Sequence, residues 1–422
     1  MRGKIQNAGD IAKWRLCLGC GACAFICPER YISLVDFVAE GIRPVLQLGN
    51  KGCDGCTACL DVCPGHNNDR TEANCRSGVM TELTATWGPI LEIWEGHAAD
   101  PETRLAGSSG GLITALSLFC LEKRAMHGVL HIGGDPENPL RNKTMMSRSR
   151  ADVLKNTGSR YAPASACDRL DWVESAPAPC VFVGQPSEVT ALVKAERLRP
   201  KLKSNIGLTL SFFCAGSPAT KGTLELLTSA GIDPSRVREL RYRGKGWPGM
   251  FSVTLKGQTA PALQQTYAQS WGFLQSYRPL SVHLCPDGTG EDADISCGDP
   301  WYRPVKDGEA GSSLVLVRSE RGREILREAI AAGYVVMEKS DAGKLYQSQK
   351  NLASKRGAVG GRVFVFRLAG LPMTRMKGFS LFQHWRHLSL KDKLRSTIGT
   401  ARRILFRKLF RPLKLNSTNV NY

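Results

Sequence analysis

The sequence has few long apolar segments and few acidic residues. No run of about eighteen uninterrupted apolar residues occurs, so we expect no membrane-spanning helix. No apolar stretch follows the basic start MRGKIQNAGD, so we expect no secretory signal. Asp and Glu number 38 against 57 Lys and Arg, which gives a formal net charge of +19. A charge of this size directs attention to acidic partners such as nucleic acid or anionic lipid.

The positive charge is concentrated near the C-terminus. Residues 375–422 hold twelve Lys or Arg and one acid, Asp392, so this segment alone carries +11. The other 374 residues therefore carry only +8. The apolar fraction of 42% and the charged fraction of 23% are ordinary for a globular protein, and the 422 residues suffice for two or three domains.

The fifteen cysteines are not distributed as a disulfide framework, since more than half of them fall within the first 64 residues. This use of cysteine indicates a reducing compartment, and we expect a cytoplasmic protein. Two runs share the spacing C-x2-C-x2-C-x3-C-P, which is typical of bacterial ferredoxins that bind two [4Fe–4S] clusters. The first run comprises Cys17, Cys20, Cys23, Cys27 and Pro28, and the second comprises Cys53, Cys56, Cys59, Cys63 and Pro64.

In this spacing the fourth cysteine of each run ligates the cluster of the other run. We therefore predict two interleaved ligand sets, which are Cys17, Cys20, Cys23 and Cys63 for one cluster and Cys53, Cys56, Cys59 and Cys27 for the other. Gly19, Gly21 and Gly55 suit turns with positive φ close to an inorganic core. A zinc site or free buried thiols are the alternatives, but zinc does not require the interleaved arrangement with both prolines.

Three zones follow one another along the chain. Residues 1–80 hold the cysteine runs and predict a ferredoxin-like two-cluster domain. In residues 85–370, short apolar runs alternate with helical patterns, which predicts an α/β or α+β domain with a mixed sheet. The predicted strands are 128–132, 180–183 and 206–212, and the predicted helices are 112–123, 186–197, 217–230 and 320–332. Residues 375–422 form a basic tail.

Two loops of the central zone carry glycine and hydroxyl side chains. The segment AGSSGG at 106–111 precedes a helical pattern, and such a loop presents backbone N–H groups to a phosphate. The segment TGSRYAP at 157–163 adds a cation and an aromatic ring. A plain helix N-cap and an ordinary turn are the alternatives for these two loops.

Six segments in this order resemble the beta-subunit family of coenzyme F420 hydrogenases and dehydrogenases, which includes hydroxymethyl chlorophyll a reductase. They are SSGG at 108–111, TGSRYAP at 157–163, PC at 179–180, SFFCAG at 211–216, RYRGKGWPG at 241–249 and LCPDGTGEDADISCGDPW at 284–301. The resemblance covers about residues 10–340 and implies an FAD beside iron–sulfur clusters.

Carried over to this chain, the resemblance implies flavin contacts from two loops and one further segment. The implied residues are Ser108, Ser109, Gly110, Gly111, Thr157, Gly158, Ser159, Arg160, Tyr161, Lys245 and Trp247. A flavin dinucleotide needs donors and a cation for its pyrophosphate and a wall for its ring. We expect Arg160 to bind the phosphates and Tyr161 to stack on the ring. A surface hairpin turn is the alternative for Lys245 and Trp247.

Members of this family often hold a further [4Fe–4S] cluster in the central domain. Cys180, Cys214 and Cys285 match three of the expected positions, while Val282 replaces the first cysteine of a CxxC pair. Cys297 is a candidate for the missing thiolate. Buried free cysteines are the alternative, and the sequence does not decide between a third cluster and free thiols.

No catalytic acid or base can be selected from spacing. Asp294 and Asp299 suit caps of turns, and His131 and His283 are equally compatible with structural roles. Cys75, Cys120 and Cys167 lack partners at ligand spacing and are interpreted as structural.

The tail from 391 to 414 has an apolar stripe, formed by Leu394, Ile398, Ala401, Leu405 and Leu409. Cations occupy the other sides, and such a helix suits an anionic lipid surface. This would place the protein peripherally at the inner face of the membrane. A helix packed on the body or on a partner is the alternative. We expect no nucleic-acid partner, because no binding motif accompanies the charge.

These observations predict an oxidoreductase in which electrons pass between two [4Fe–4S] clusters and FAD. The expected partners are a ferredoxin-type protein or reductase subunit and a small organic substrate with a reacting CH or CH2 group. The alternative is a non-enzymatic electron-transfer subunit that docks to a reductase. The sequence identifies neither the substrate nor the direction of electron flow.

Overall fold

A computed structural model describes residues 4–47, 53, 55–306 and 308–415 of the chain. The described strands are β1 (Ile32–Phe37), β2 (Gly41–Leu46), β3 (Asn67–Asp69), β4 (Glu92–Ala98), β5 (Val129–Gly134), β6 (Asn142–Ser147), β7 (Cys180–Gly184), β8 (Ile206–Phe212), β9 (Val237–Arg241), β10 (Met250–Leu255), β11 (Leu263–Thr266), β12 (Ile295–Gly298), β13 (Ser313–Val317), β14 (Val335–Lys339) and β15 (Arg375–Lys377).

The described α-helices are α1 (Ala8–Lys13), α2 (Ala22–Ile26), α3 (Ala58–Asp61), α4 (Thr71–Asn74), α5 (Thr81–Trp87), α6 (Pro101–Ala106), α7 (Leu112–Glu122), α8 (Arg150–Lys155), α9 (Leu170–Glu174), α10 (Pro186–Leu198), α11 (Pro200–Ser204), α12 (Thr220–Ser229), α13 (Tyr267–Leu274), α14 (Leu280–Leu284), α15 (Glu320–Ala331), α16 (Ala342–Ser348), α17 (Lys350–Leu368), α18 (Leu381–Arg386) and α19 (Leu390–Phe406). Short 3₁₀ helices lie at Ala166–Arg169, Pro234–Arg236 and Gln275–Tyr277.

An eight-stranded mixed sheet forms the centre of the molecule, in the order β14-β4-β13-β12-β8-β7-β5-β6. The neighbours β12, β8, β7 and β5 run parallel, and the outer pairs are antiparallel. Val181 faces the core on the α7 and α15 side, whereas Phe182 faces the core on the α10 side. Burial on both faces explains why these strands are continuous apolar runs. The predicted mixed α/β architecture is confirmed.

Three smaller sheets complete the fold. β1 and β2 form an antiparallel hairpin within the cysteine-rich region. β9, β10 and β11 form an antiparallel sheet whose core contains Leu226, Tyr242 and Phe251. β3 pairs in parallel with β15, although about 300 residues of sequence separate them. The tail is therefore hydrogen-bonded to the cysteine-rich region.

Buried ion pairs join the cysteine-rich region to the loop after α14. The guanidinium of Arg70, which follows β3, contacts Asp287 at 3.1 Å and Asp292 at 2.5 Å. Nearby, Arg356 of α17 pairs with Glu291. Removing one partner of such a pair leaves an uncompensated buried charge, at a cost of about 3–5 kcal/mol. These contacts fix the cysteine-rich region against the sheet.

The three C-terminal helices pack on one another and on the cysteine-rich region. Phe366 of α17, Ile404 of α19 and Leu409 lie in one apolar cluster with Ile11 and Cys17. Within the described part of the chain, none of the helices combines the length and apolar character needed to cross a bilayer.

Candidate functional site

Four of the predicted cluster ligands, Cys17, Cys20, Cys23 and Cys63, line one cavity in the structure. We call this group the inner site. Cys17 and Cys20 lie in the loop before α2, Cys23 lies in α2, and Cys63 follows α3. Three of these cysteines, in the first run, are only 8% exposed. The structure thus brings together the interleaved set that the spacing predicts.

Burial and neighbouring thiols raise the pKa of three cysteines of the inner site. Burial raises the pKa of Cys20 and Cys23 well above the ordinary thiol value, and the neighbouring thiols add to the shift. Burial, followed by the nearby Cys17, raises the pKa of Cys63 to about 12. Such thiols become thiolates only when a positively charged group is bound between them, because a metal or cluster stabilises the deprotonated form.

Local backbone geometry supports this arrangement. Gly19 and Gly21 have φ of 80° and 86°, in the left-handed region that favours glycine. The N–H of Gly19 donates to the Sγ of Cys17 at 3.4 Å, a contact that stabilises a thiolate ligand. The Nζ of Lys194 donates to the carbonyl of Cys63 at 3.2 Å and to that of Asn67 at 2.7 Å. A half-buried cation therefore lies beside the inner site.

The second set, Cys27, Cys53, Cys56 and Cys59, forms what we call the outer site. Burial raises the pKa of Cys59, and the thiols of Cys56, Cys53 and Cys27 raise it further. Cys56 is exposed and the other three are partly exposed. The second interleaved set is therefore also grouped, but nearer to the surface.

The inner group of thiols fits a cubane, whose corners accept thiolates from four sides. Within the described ranges, no three Cys, His, Asp or Glu side chains converge on a position for one metal ion. The inner four surround a cavity closed by Leu34, Pro44 and Pro64. The residues present therefore fit the group that the spacing predicts.

A second feature is a cleft of about 1000 Å³ between β6, α8, the 157–160 loop and β9. Cations line it, namely Lys143, Arg148, Lys155, Arg160, Arg238, Arg241 and Arg243. Its carboxylates are fewer, namely Asp135, Asp152 and Glu239. Among the described residues, Lys143, Lys155 and Arg241 form no ion pair with a carboxylate. The cleft therefore has the size and the charge for an anionic cofactor.

The two glycine-bearing loops meet at one end of this cleft. The backbone N–H of Ser159 donates to the Oγ of Ser108 at 2.6 Å. Residues Thr157, Gly158, Ser159 and Arg160 line the cleft, but the SSGG loop does not appear among its walls. Ser109 is hydrogen-bonded to the carbonyl of Ser312 at 3.0 Å.

Packing and backbone conformation alone explain why positions 110 and 111 are glycine. Both have φ of 68°, and a Cβ at Gly111 would lie 2.3 Å from the carbonyl oxygen of Thr103. Close packing of the loop on α6 therefore requires glycine there, whether or not the loop binds a phosphate.

The side-chain roles expected for Arg160 and Tyr161 do not fit the structure. The guanidinium of Arg160 donates to Asn142 at 2.5 Å and to the carbonyls of Pro139 at 2.8 Å and Leu240 at 3.2 Å. These contacts use the donors that a phosphate would need. Tyr161 packs among other aromatic rings, with Trp271 at a centroid distance of 5.0 Å. Arg160 lines the cleft, whereas Tyr161 packs against the apolar core of the β9–β11 sheet.

Trp247 and Lys245 behave differently from each other. Trp247 is 4% exposed, stacks on Trp301 at 5.0 Å and donates from Nε1 to Asp299 at 2.7 Å. The surface-turn alternative is therefore wrong for this tryptophan. Lys245 is exposed and has φ of 59°.

Sequence reasoning missed Arg243, which lies in the same segment. Its guanidinium pairs with Asp299 at 2.7 Å and donates to the carbonyl of Ser108 at 2.6 Å. The arginine therefore joins the SSGG loop to the GDPW segment. The sequence did contain a signal for Arg243. Both its own segment, RYRGKGWPG, and the GDPW segment that holds Asp299 belong to the six family segments.

The four cysteines proposed for a third cluster do not form one site. Cys214 and Cys285 line a common cavity with Val282 and Lys355. Cys180 begins β7, at the opposite end of the parallel strands from Cys214, which follows β8. Cys297 points into the apolar core beside α7. Strand direction explains why the predicted third cluster site is not formed. Cys180 opens a strand, whereas Cys214 follows the end of a parallel strand.

The other candidates have structural surroundings. Burial, with Arg278 nearby, lowers the pKa of His283 to about 3, and burial lowers the pKa of His131. Asp294 accepts from the N–H of Thr209 at 2.8 Å and pairs with Arg321 at 2.7 Å. These residues stabilise the sheet and its loops.

One segment connects the cleft with the inner site. The Oγ1 of Thr144, a cleft residue, donates to the carbonyl of Ser165 at 3.1 Å. The Oγ of Ser165 donates to the carbonyl of Gly19 at 2.6 Å, and the N–H of Cys167 donates to the carbonyl of Cys20 at 3.0 Å. Residues 157–167, which we call the shared wall, therefore line the cleft at 157–160 and contact the loop of the inner site at Ser165 and Cys167.

Comparison with known families gives three matches. Residues 16–67 match the 4Fe-4S dicluster domain. Residues 93–170 match the coenzyme F420 hydrogenase/dehydrogenase beta subunit N-term, and residues 179–342 match the C terminus of the same beta subunit. The two beta-subunit matches together cover more than half of the chain.

Three curated relatives have low sequence identity. An uncharacterized protein of Methanocaldococcus jannaschii is 23% identical over 81% of this chain and 94% of its own length. The coenzyme F420-dependent sulfite reductase of the same organism is 22% identical over 75% of this chain and 46% of its own length. The coenzyme F420 hydrogenase subunit beta of Methanosarcina barkeri is 24% identical over 58% of this chain and 81% of its own length.

A solved structure shares the fold. A chain of the F420-reducing [NiFe] hydrogenase complex from Methanosarcina barkeri superposes with a TM-score of 0.52 at 20% identity. The match covers 69% of this chain and 97% of the other.

Proposed function

Because this chain belongs to the coenzyme F420 hydrogenase/dehydrogenase beta-subunit family, we propose that it passes electrons between two [4Fe–4S] clusters and an FAD. At the coarser level, it is an iron–sulfur oxidoreductase-type subunit related to those beta subunits.

The shared wall at residues 157–167 carries the proposal. Residues 157–160 line the basic cleft, while Ser165 and Cys167 hydrogen-bond to the loop that presents Cys17 and Cys20. A cofactor in the cleft would be linked to the loop of the inner site through the hydrogen bonds of Thr144, Ser165 and Gly19. Such a connection is what electron transfer between two bound groups needs.

Different residues of the chain would bind the clusters and the flavin. The inner and outer sets of cysteines hold the clusters, which supply one-electron chemistry when bound. Lys194 places a positive charge beside the inner site. In the cleft, Lys143, Lys155 and Arg241 provide unpaired cations for a pyrophosphate, and FAD supplies two-electron hydride chemistry when bound.

We further propose that the two-electron partner is a small organic molecule that reacts at a CH or CH2 group. Relatives are named as F420-dependent enzymes, so a deazaflavin is one member of this class. The one-electron partner would be a ferredoxin-type protein or a reductase subunit.

Anaerobic reconstitution of the full chain tests the proposal. We expect about eight iron and one FAD per chain, from two cubanes and one cleft. Replacing Lys155 and Arg241 with Gln should weaken FAD binding by tenfold or more, while exposed Lys201→Gln, outside the cleft, should not. Fewer than about five iron after reconstitution, or FAD retained equally by both variants, would contradict it.

A non-enzymatic electron-transfer subunit is the second candidate. The contacts of Arg160 and Tyr161 favour this candidate, because Arg160 donates to backbone carbonyls and Tyr161 packs on Trp271 rather than facing a cofactor. This candidate predicts full cluster content with no FAD and no deazaflavin bound under saturating conditions.

A further inference from the structure

The amphipathic helix α19 turns its apolar stripe away from the protein. Leu394, Ile398 and Leu405 are 47%, 57% and 66% exposed. The face that packs inward carries Ser396, Thr400 and Ile404 instead. Only at the end of the predicted stripe does an apolar side chain, Leu409, enter the core.

Small residues explain why the polar face packs inward. A Cβ at Gly361 of α17 would lie 2.5 Å from the Oγ of Ser396, so the two helices approach closely at this point. The indole of Trp385 also donates to Ser396 at 3.1 Å. A bulky side chain at position 396 would not fit, and the helix is therefore held with Leu394 and Ile398 outward.

Further apolar side chains of α19 and of its neighbour α17 are exposed. Leu390 at the start of α19 and Phe406 at its end are 73% and 77% exposed. α17, which packs against α19, adds exposed Phe364 and Leu368. A 17-residue helix is about 25 Å long, so the stripe along its outer face is extended rather than a single anchor point.

Cations surround the stripe. Residues 390–415 contain nine Lys or Arg and one acid, Asp392, which accepts at the helix N-terminus from Ser389. Lys391, Arg395 and Arg402 are exposed and, at 100° per residue, adjoin the stripe on one side. Within the described residues, no carboxylate pairs with a cation of this segment.

We propose that the outer face of α19 docks on an anionic lipid bilayer surface. Exposed aliphatic and aromatic side chains would enter the boundary between headgroups and acyl chains, and the flanking cations would contact the lipid phosphates. Nine Lys or Arg against one acid in residues 390–415 complement a surface of dense negative charge, which anionic lipid headgroups supply along the whole length of the stripe. The packing of Ile404 and Leu409 with Cys17 would hold the inner site close to that surface.

Co-sedimentation of the full chain with vesicles tests this surface. We expect strong binding to phosphatidylcholine vesicles containing phosphatidylglycerol, and weak binding to phosphatidylcholine alone. Replacing Arg395 and Arg402 with Gln should weaken binding about fivefold per cation, whereas Lys201→Gln with Lys203→Gln should not change it. The assay needs no redox activity, so it is independent of the proposed function.

A second pair of variants tests the exposed apolar side chains of α19. Leu394→Gln with Ile398→Gln should weaken vesicle binding at least about tenfold, whereas Leu198→Gln with Val336→Gln, which are similarly exposed, should not. Absence of binding to anionic vesicles would overturn the proposal. So would loss of self-association in the Leu394 and Ile398 variant without any change in vesicle binding, because the face would then belong to a second copy.

Discussion

The inner and outer sites share one ligand spacing but differ in their surroundings. Three of the four inner cysteines are buried, Lys194 lies beside the site, and the backbone of Cys20 accepts a hydrogen bond from Cys167. The outer site includes the exposed Cys56. A cluster near the surface can exchange electrons with another protein, while a cluster near the cleft can exchange them with a bound cofactor. Under the proposed function, two cysteine runs of the same spacing would therefore serve different electron-transfer partners because they are packed differently.

Serine substitutions give the largest expected effect and test this difference directly. We expect Cys20→Ser to remove the inner cluster, or about four iron, and to lower the melting temperature strongly, since the cluster would no longer join the loop before α2 to Cys63. Cys56→Ser should remove a similar amount of iron with a smaller loss of stability. Iron analysis and thermal melts measure both, and equal destabilisation would contradict the comparison.

A pH dependence is expected at the wall beside the inner site. Burial raises the pKa of Glu188, whose carboxylate accepts from the N–H groups of Ala166 and Gln185, to about 7. Because the folded pKa lies above the unfolded value, its stabilising contribution is present below about pH 4.5 and is lost as pH rises through about 7. The loss is at most about 3 kcal/mol.

Glu188→Gln provides the check on this pH dependence. Denaturant unfolding between pH 5 and 8 should show a shallower decline in stability for this variant than for the native chain. Glu174→Gln, which removes a carboxylate in an exposed pair with Arg199, should leave the slope unchanged. Parallel slopes for all three proteins would remove Glu188 as the cause.

Lys194 gives the smallest expected effect. Its positive charge should favour the reduced, more negative state of the nearby cluster. We expect Lys194→Met to shift the potential of the inner cluster to a more negative value, with Lys194→Arg close to the native protein. The outer cluster should not respond. A redox titration followed by paramagnetic resonance separates the two clusters, and an equal shift in both would contradict this account.

The sequence allowed the two interleaved cysteine sets, the central strands and helices, and the mixed α/β architecture to be predicted. These features depend on local spacing and on apolar periodicity. β5, β7 and β8 lie within one or two residues of the predicted strands, because their continuous apolar runs are buried on both faces.

Other features depend on partners distant in sequence. Arg160 binds carbonyls at positions 139 and 240, and no pattern around TGSRY identifies those acceptors. Cys180 and Cys297 lie away from Cys214 because strand direction and face decide their positions. The orientation of α19 depends on Gly361 of another helix. Local composition could therefore predict the candidates but not which of them meet.

We propose that the inner cluster and a flavin in the cleft exchange electrons across residues 157–167. Rapid mixing of the anaerobic, fully reconstituted chain with a one-electron donor measures it most directly. We predict that flavin reduction follows cluster reduction, and that it is lost in Cys20→Ser although FAD remains bound. Flavin reduction at the native rate in that variant would contradict the account.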